Sequence, residues 1–160
     1  MKTILLSISL LFTTISIAQN TVQISDLEVL QGNWQGELMY INYSDNREVT
    51  LLSTLQVEIK KDKLIGKIGY TNEPSANGKF VIKLKENGTF INDEEIITRS
   101  KLDDGSLKIT TKYDGSDNNK PATIFITYVI DNTNFTMTKE VLFKNATERF
   151  VRNKYTYTKL

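Results

Sequence analysis

Val49-Thr50-Leu51-Leu52-Ser53-Thr54-Leu55-Gln56-Val57-Glu58-Ile59 is the stretch that decides the fold. Val49, Leu51, Leu55, Val57 and Ile59 recur at every second position, with Ser53 the polar member of the set. Glu48, Thr50, Thr54, Gln56 and Glu58 stand in the opposite phase. A strand turns successive side chains to opposite faces, whereas a helix needs apolar residues three and four apart. The stretch therefore reads as a long strand with one dry and one wetted face.

The same period runs outward on both sides. Upstream it gives Trp34, Gly36, Leu38 and Tyr40. Downstream it gives Leu64, Gly66, Ile68 and Tyr70, then Phe80, Ile82 and Leu84, then Leu107, Ile109, Thr111 and Tyr113. Ile124, Ile126 and Tyr128 follow, with Phe125 and Val129 opposite. Phe135, Met137, Lys139, Val141 and Phe143 continue, and Val151, Tyr155 and Tyr157 close the chain. Short polar turns separate these runs, among them Lys61-Asp62-Lys63, Asp103-Asp104-Gly105 and Asp131-Asn132-Thr133-Asn134. Two longer loops are expected, at 71–78 and 114–121. The acidic run Asn92-Asp93-Glu94-Glu95 interrupts the alternation in 89–102, as a bulge, a strand break or a turn between two short strands. Short connections make consecutive strands antiparallel neighbours. A long meander must close on itself or leave exposed edges. The expected fold is thus all-β: an antiparallel up-and-down meander of about eight to ten strands closed into a barrel. A short N-terminal helix precedes it, capped by Ser25-Asp26-Leu27-Glu28. A two-sheet sandwich is the rival.

Composition agrees. Within 19–160, Ala occurs only at positions 76, 122 and 146, while β-branched and aromatic residues abound. The chain has 160 residues, room for one domain. Its 20 Lys and Arg balance 19 Asp and Glu, which lacks the basic excess of a nucleic-acid binder. Cys and His are both 0, which removes thiol chemistry, Cys/His zinc sites, His or Cys haem ligation and His-based triads. No enzymatic constellation and no cofactor are expected.

Residues 1–18 read as a signal peptide. Lys2 precedes an apolar run from Ile4 to Ile17, and Ser16-Ile17-Ala18 offers a cleavage site before Gln19. The run is shorter than the roughly 20 residues that span a bilayer, so no transmembrane anchor is expected in the mature chain. The expected product is a single exported domain, 19–160, periplasmic or extracellular.

Gly32-Asn33-Trp34 opens the first strand directly after the helical turn. In this the chain resembles the lipocalin-like, or calycin, superfamily, whose barrels begin with a short helix and a G-x-W. The resemblance implies a barrel closed at the Trp34 end, with an Arg near the end of the last strand stacked on the indole, although which basic residue serves is left open. Arg149, Arg152, Lys154 and Lys159 all lie there. The fatty-acid-binding branch carries Arg-x-Tyr in its last strand, and Arg152-Asn153-Lys154-Tyr155 is one residue longer.

The expected function is binding of a small hydrophobic or amphipathic ligand inside the barrel. A closed-core interaction protein is the alternative. Trp34 is read as a structural plug. Tyr70, Tyr128 and Tyr155 offer aromatic walls with hydroxyl tips. Lys139 stands in an otherwise apolar phase, so it faces the interior, where it pairs with a carboxylate or tyrosines, reaches out to the mouth, or awaits an anionic ligand. Ser53, Tyr128 and Arg149 are expected to help it. Asp93, Glu94 and Glu95 read as a solvated turn, and 114–119 as a plain polar loop.

Overall fold

In a computed structural model, which describes residues 20–160, the chain forms one closed antiparallel barrel. The expected signal segment lies outside the described residues. Helix α1 (Ile24–Leu27) continues through a 3-10 turn, Glu28–Leu30, into β1 (Gly32–Ile41). There follow β2 (Glu48–Lys60), β3 (Lys63–Tyr70), β4 (Gly78–Lys85), β5 (Phe90–Ile91) and β6 (Glu94–Lys101). The chain ends with β7 (Leu107–Asp117), β8 (Lys120–Ile130), β9 (Asn134–Phe143) and β10 (Phe150–Lys159). Each strand pairs with its sequence neighbours, and β1 pairs with both β2 and β10, so the ten strands form an up-and-down meander without a sandwich break.

The register carries one phase around the wall. Trp34 lies opposite Leu55, Gly36 opposite Ser53 and Tyr157, and Leu38 opposite Leu51 and Tyr155. Tyr128 lies opposite Met137 and Ile109, and Ile126 opposite Lys139 and Thr111. These inward sets are the period-two sets of the sequence. Gly66 belongs to them because the Phe80 ring occupies the space a Cβ would fill.

Helix α1 closes one end. Its cap begins earlier than the expected Ser25: the Gln23 N–H donates to the Asp26 carboxylate at 2.9 Å. Val22, Leu27 and Leu30 are each only 2% exposed and plug the barrel, and the Val22 N–H anchors to the Gly88 carbonyl at 2.8 Å. Arg99 of β6 ties Asp26 from the wall at 2.8 Å. Trp34 is fully buried, and its Nε1–H donates to the Leu30 carbonyl at 2.8 Å. The cation over the indole is Lys159: its Nζ lies 5.2 Å from the ring and donates to the Val29 carbonyl at 2.7 Å. A lysine can do this because a backbone acceptor lies within its reach.

One open alternative is settled and two local expectations are corrected. Residues 89–102 form two strands, β5 and β6, joined at Asn92-Asp93, with Asn92 at φ 55°. Residues 114–121 are not a long loop: β7 and β8 pair as far as Asp117 opposite Lys120. Asn118 and Asn119 alone make the turn, at φ 48° and 60°, the left-handed pair that a tight hairpin requires and that Asn tolerates. Strand β10 carries a bulge between Val151 and Asn153. The bulge leaves Val151 38% exposed rather than inward, and it turns Arg152 into the barrel.

Candidate functional site

The connections 42–47, 71–77, 92–93, 118–119 and 144–149 surround the end of the barrel opposite α1. Burial along the inward phase divides the interior in two. Trp34, Leu55, Leu64, Ile82, Ile96, Ile109, Phe135 and Tyr157, toward the α1 end, are all buried and form a dry core. Toward the mouth the inward residues Tyr40, Leu51, Ile68, Tyr70, Phe80, Tyr113, Met137 and Tyr155 are only half-buried, whereas Ala122, Ile124 and Val141 on β8 and β9 are buried and form a second, smaller core. Water therefore reaches part of the mouth half of the interior, away from the β8–β9 cluster.

Aromatic rings climb from one half to the other. Trp34 meets Phe135 edge-on at 6.2 Å, Phe135 stacks on Tyr157 at 6.2 Å, and Tyr157 stacks on Tyr155 at 5.9 Å. The hydroxyls pair along the same wall: Ser53 with Tyr157 at 2.8 Å, and Tyr70 with Tyr155 at 2.7 Å. Burial pushes the Tyr157 phenol up to about 12, so it stays a neutral hydrogen-bonding group. Ser53, Tyr70 and Tyr155 are thus brought together on β2, β3 and β10. Tyr128 lies in register with Tyr155 two strands along, across Met137, and is buried.

At the rim a charged cluster centres on Asp117, whose side chain is 0% exposed. Its Oδ2 accepts from Arg152 Nε at 2.8 Å and lies 2.6 Å from Arg152 Nη2. Its Oδ1 accepts from the Tyr43 hydroxyl at 2.9 Å and from Lys139 Nζ at 3.2 Å. The Arg152 guanidinium lies between the Tyr43 and Phe150 rings, 4.3 Å and 4.8 Å from their centres. Burial alone would lift the Asp117 carboxyl; the hydrogen bonds from Tyr43, Lys139 and Arg152 outweigh it and hold it below the usual carboxylate range.

Beside this cluster a cleft of about 300 Å³ opens at the mouth. Leu38, Tyr40 and Leu51 form its apolar floor, Tyr70, Arg152 and Asn153 its polar side, and Ala76 overhangs from the 3-10 turn Pro74–Ala76. A larger hollow, about 800 Å³, lies on the outer wall over β1 to β3. It is an open saddle bordered by Asn33, Thr54, Gln56 and Lys67.

The expected site residues fall out unevenly. Lys139 faces inward and finds an internal carboxylate. Arg149 does not join it: it precedes β10, is exposed, and lays its guanidinium 3.4 Å above the ring of Phe125, a residue of the outward phase of β8. The inward Arg is Arg152, and the bulge lets Arg152 and Tyr155, an odd number of residues apart, both face inward. Asp117 escaped sequence reasoning because oxygen-rich residues around it resemble a loop; the Asn-Asn pair was the usable signal. Glu94 escaped it because its neighbours are acidic. Asp93 and Glu95 are exposed as expected, but Glu94 shares the inward phase of Ile96 and accepts a hydrogen bond from the Thr111 hydroxyl at 2.5 Å. Its carboxyl is pushed up, chiefly by burial and further by Asp93, against the Thr111 hydrogen bond.

Among the described residues no group of three or more Asp or Glu is placed to hold a metal ion. The arrangement defines a class: an antiparallel ten-stranded barrel, solid at one end and partly open, aromatic-lined and charged at the other. No protein-family model matches the chain, and a search of the curated proteins finds no match.

Proposed function

We propose that this is an exported, non-enzymatic binding protein of lipocalin-like type, which holds a small, partly apolar molecule in the mouth half of its barrel. The observation that carries the reading is the half-exposure of inward-facing aromatic and aliphatic residues there, beside a fully dry core. Apolar surface left wet inside a barrel gains from being covered, at roughly 25 cal/mol per Å². The cleft of about 300 Å³ is at the small end of ligand-pocket sizes. Its polar groups, Tyr70, Arg152 and Asn153, would orient the occupant. Export rests on the N-terminal pattern Lys2 to Ala18. A closed-core interaction protein would share the dry half but not the wet one.

Native mass spectrometry of protein purified from its own host tests this. The expected result is a small-molecule adduct that is lost on denaturation and lost when Tyr40 and Leu51 are both replaced by Glu. A bare polypeptide mass, with no adduct regained on incubation with a lipid extract of the host, would overturn it.

A further inference from the structure

The barrel wall is incomplete on one side. Strand β5 pairs with β4 only at Leu84 and Lys85. The Asn92 side chain extends that seam to the backbone of Lys83 and Val81, at 3.0 Å each, and no further. On the other side β6 pairs with β7 only up to Lys112, while β7 runs on to Asp117 bonded to β8 alone. Above the Asn92-Asp93 hairpin, the start of β4 and residues 113–117 of β7 therefore face each other across a gap that no strand fills.

Glu94 stands at the floor of that gap. It is the first residue of β6, faces inward, and is only half-buried, so solvent reaches it. No cation forms an ion pair with it among the described residues; Lys139 and Arg152, the interior cations of the mouth, are both turned to Asp117. Thr111 satisfies one oxygen. Tyr113, the next inward residue of β7, and Tyr128 are close enough that the Glu94 charge raises both phenols, after the larger effect of their burial. An inward carboxylate without a cation, beside aromatic groups and a water path, is complementary to a positively charged nitrogen.

We propose that the gap between β4 and β7 is a ligand entrance, and that Glu94 receives the protonated amine of an amphipathic ligand whose apolar part lies in the barrel interior. This deepens the binding reading above and rests on it. The apolar part lies against Phe80, Ile126 and Met137, and the ammonium takes the Glu94 oxygen that Thr111 leaves free. The asymmetry sets specificity: an alcohol of the same length fills the same interior but brings no charge to Glu94, and a carboxylate brings the wrong one.

Isothermal titration of the full mature chain with octylamine, octanol and octanoate at neutral pH tests the proposal, on the natural protein, Glu94→Gln and Glu95→Gln. Octylamine is expected to bind about tenfold or more tightly than octanol, as for one charged hydrogen bond. That preference should vanish in Glu94→Gln and persist in Glu95→Gln, whose side chain is exposed on the outer phase. Thermal unfolding establishes that each variant is folded. Should Glu94→Gln fail to fold, Glu94→Asp is read instead, and its amine preference should fall severalfold. Equal binding of amine and alcohol, or an amine preference untouched by either Glu94 change, overturns the amine assignment and leaves interior binding standing. Absence of binding by all three probes overturns the assignment together with the reading beneath it.

Discussion

At the residue scale the mouth is governed by two carboxylates in opposite situations. Asp117 has two cations and a phenol; Glu94 has a hydroxyl. Replacing one member of a buried pair leaves the other charge uncompensated, so Asp117→Asn should cost about 3 kcal/mol. Lys139→Met removes the longer and more exposed of the two ion pairs and leaves Arg152 in place, so it should cost about 1 kcal/mol, near one ordinary hydrogen bond. Urea denaturation of both variants checks the order; equal costs would mean that Arg152 is not the principal partner. The two acids also give opposite pH dependences. The Asp117 carboxyl lies below its unfolded value, so its contribution is present above about pH 4 and is lost as pH falls through the folded value. The Glu94 carboxyl lies above its unfolded value, so its ionisation subtracts stability as pH rises past about 4.3. Glu94→Gln should therefore be at least as stable as the natural protein at neutral pH, with the difference shrinking on acidification. A loss of stability at neutral pH would show that the Thr111 contact outweighs the burial.

At the element scale two irregularities place the charged cluster. The β10 bulge lets Arg152 and Asn153, consecutive residues, both serve the inner side, which regular alternation forbids. The Asn118-Asn119 turn carries β7 far enough for Asp117 to meet them. Both turn residues have positive φ, where a β-branched side chain clashes with its own backbone. Asn119→Val should thus cost about 1–2 kcal/mol, seen as a lower melting temperature, whereas Asn119→Gly should be nearly neutral. A valine tolerated without loss would mean that the hairpin closes by another turn. Gly88, at φ 85° and with the Val22 carbonyl where its Cβ would be, does the same for the closed end: it lets the N-terminal segment lie against the wall.

At the scale of the whole molecule, stability and binding occupy different halves of one barrel. Trp34 and its neighbours supply a close-packed core, so Trp34→Ala should cost about 3–5 kcal/mol. Leu51→Ala lies in the wet half, where the neighbours already leave space, and should cost less than about 2 kcal/mol. Chemical denaturation of the pair checks the division; similar losses would mean the mouth half is packed in solution. An open end is tolerated because α1, Leu27 and Leu30 seal the other.

Period-two alternation determined the strands, their inward sets and, through short turns, the antiparallel order. These are local properties: the pleat alone dictates which side chains share a face, and a two-residue turn allows no other neighbour. Trp34 as the plug and Lys139 as an inward charge were legible for the same reason. The partners were not. That Lys159 rather than an arginine covers Trp34, that Asp117 holds Lys139, and that Arg152 replaces Arg149 at the mouth depend on pairings between residues far apart in the chain. The inward turn of Glu94 depends likewise on where β6 begins, and acidic neighbours conceal that point. Composition marks a polar residue as solvated by default; only closure of the barrel decides which polar residues are enclosed, because closure sets the register at which distant strands meet and where bulges must absorb the mismatch.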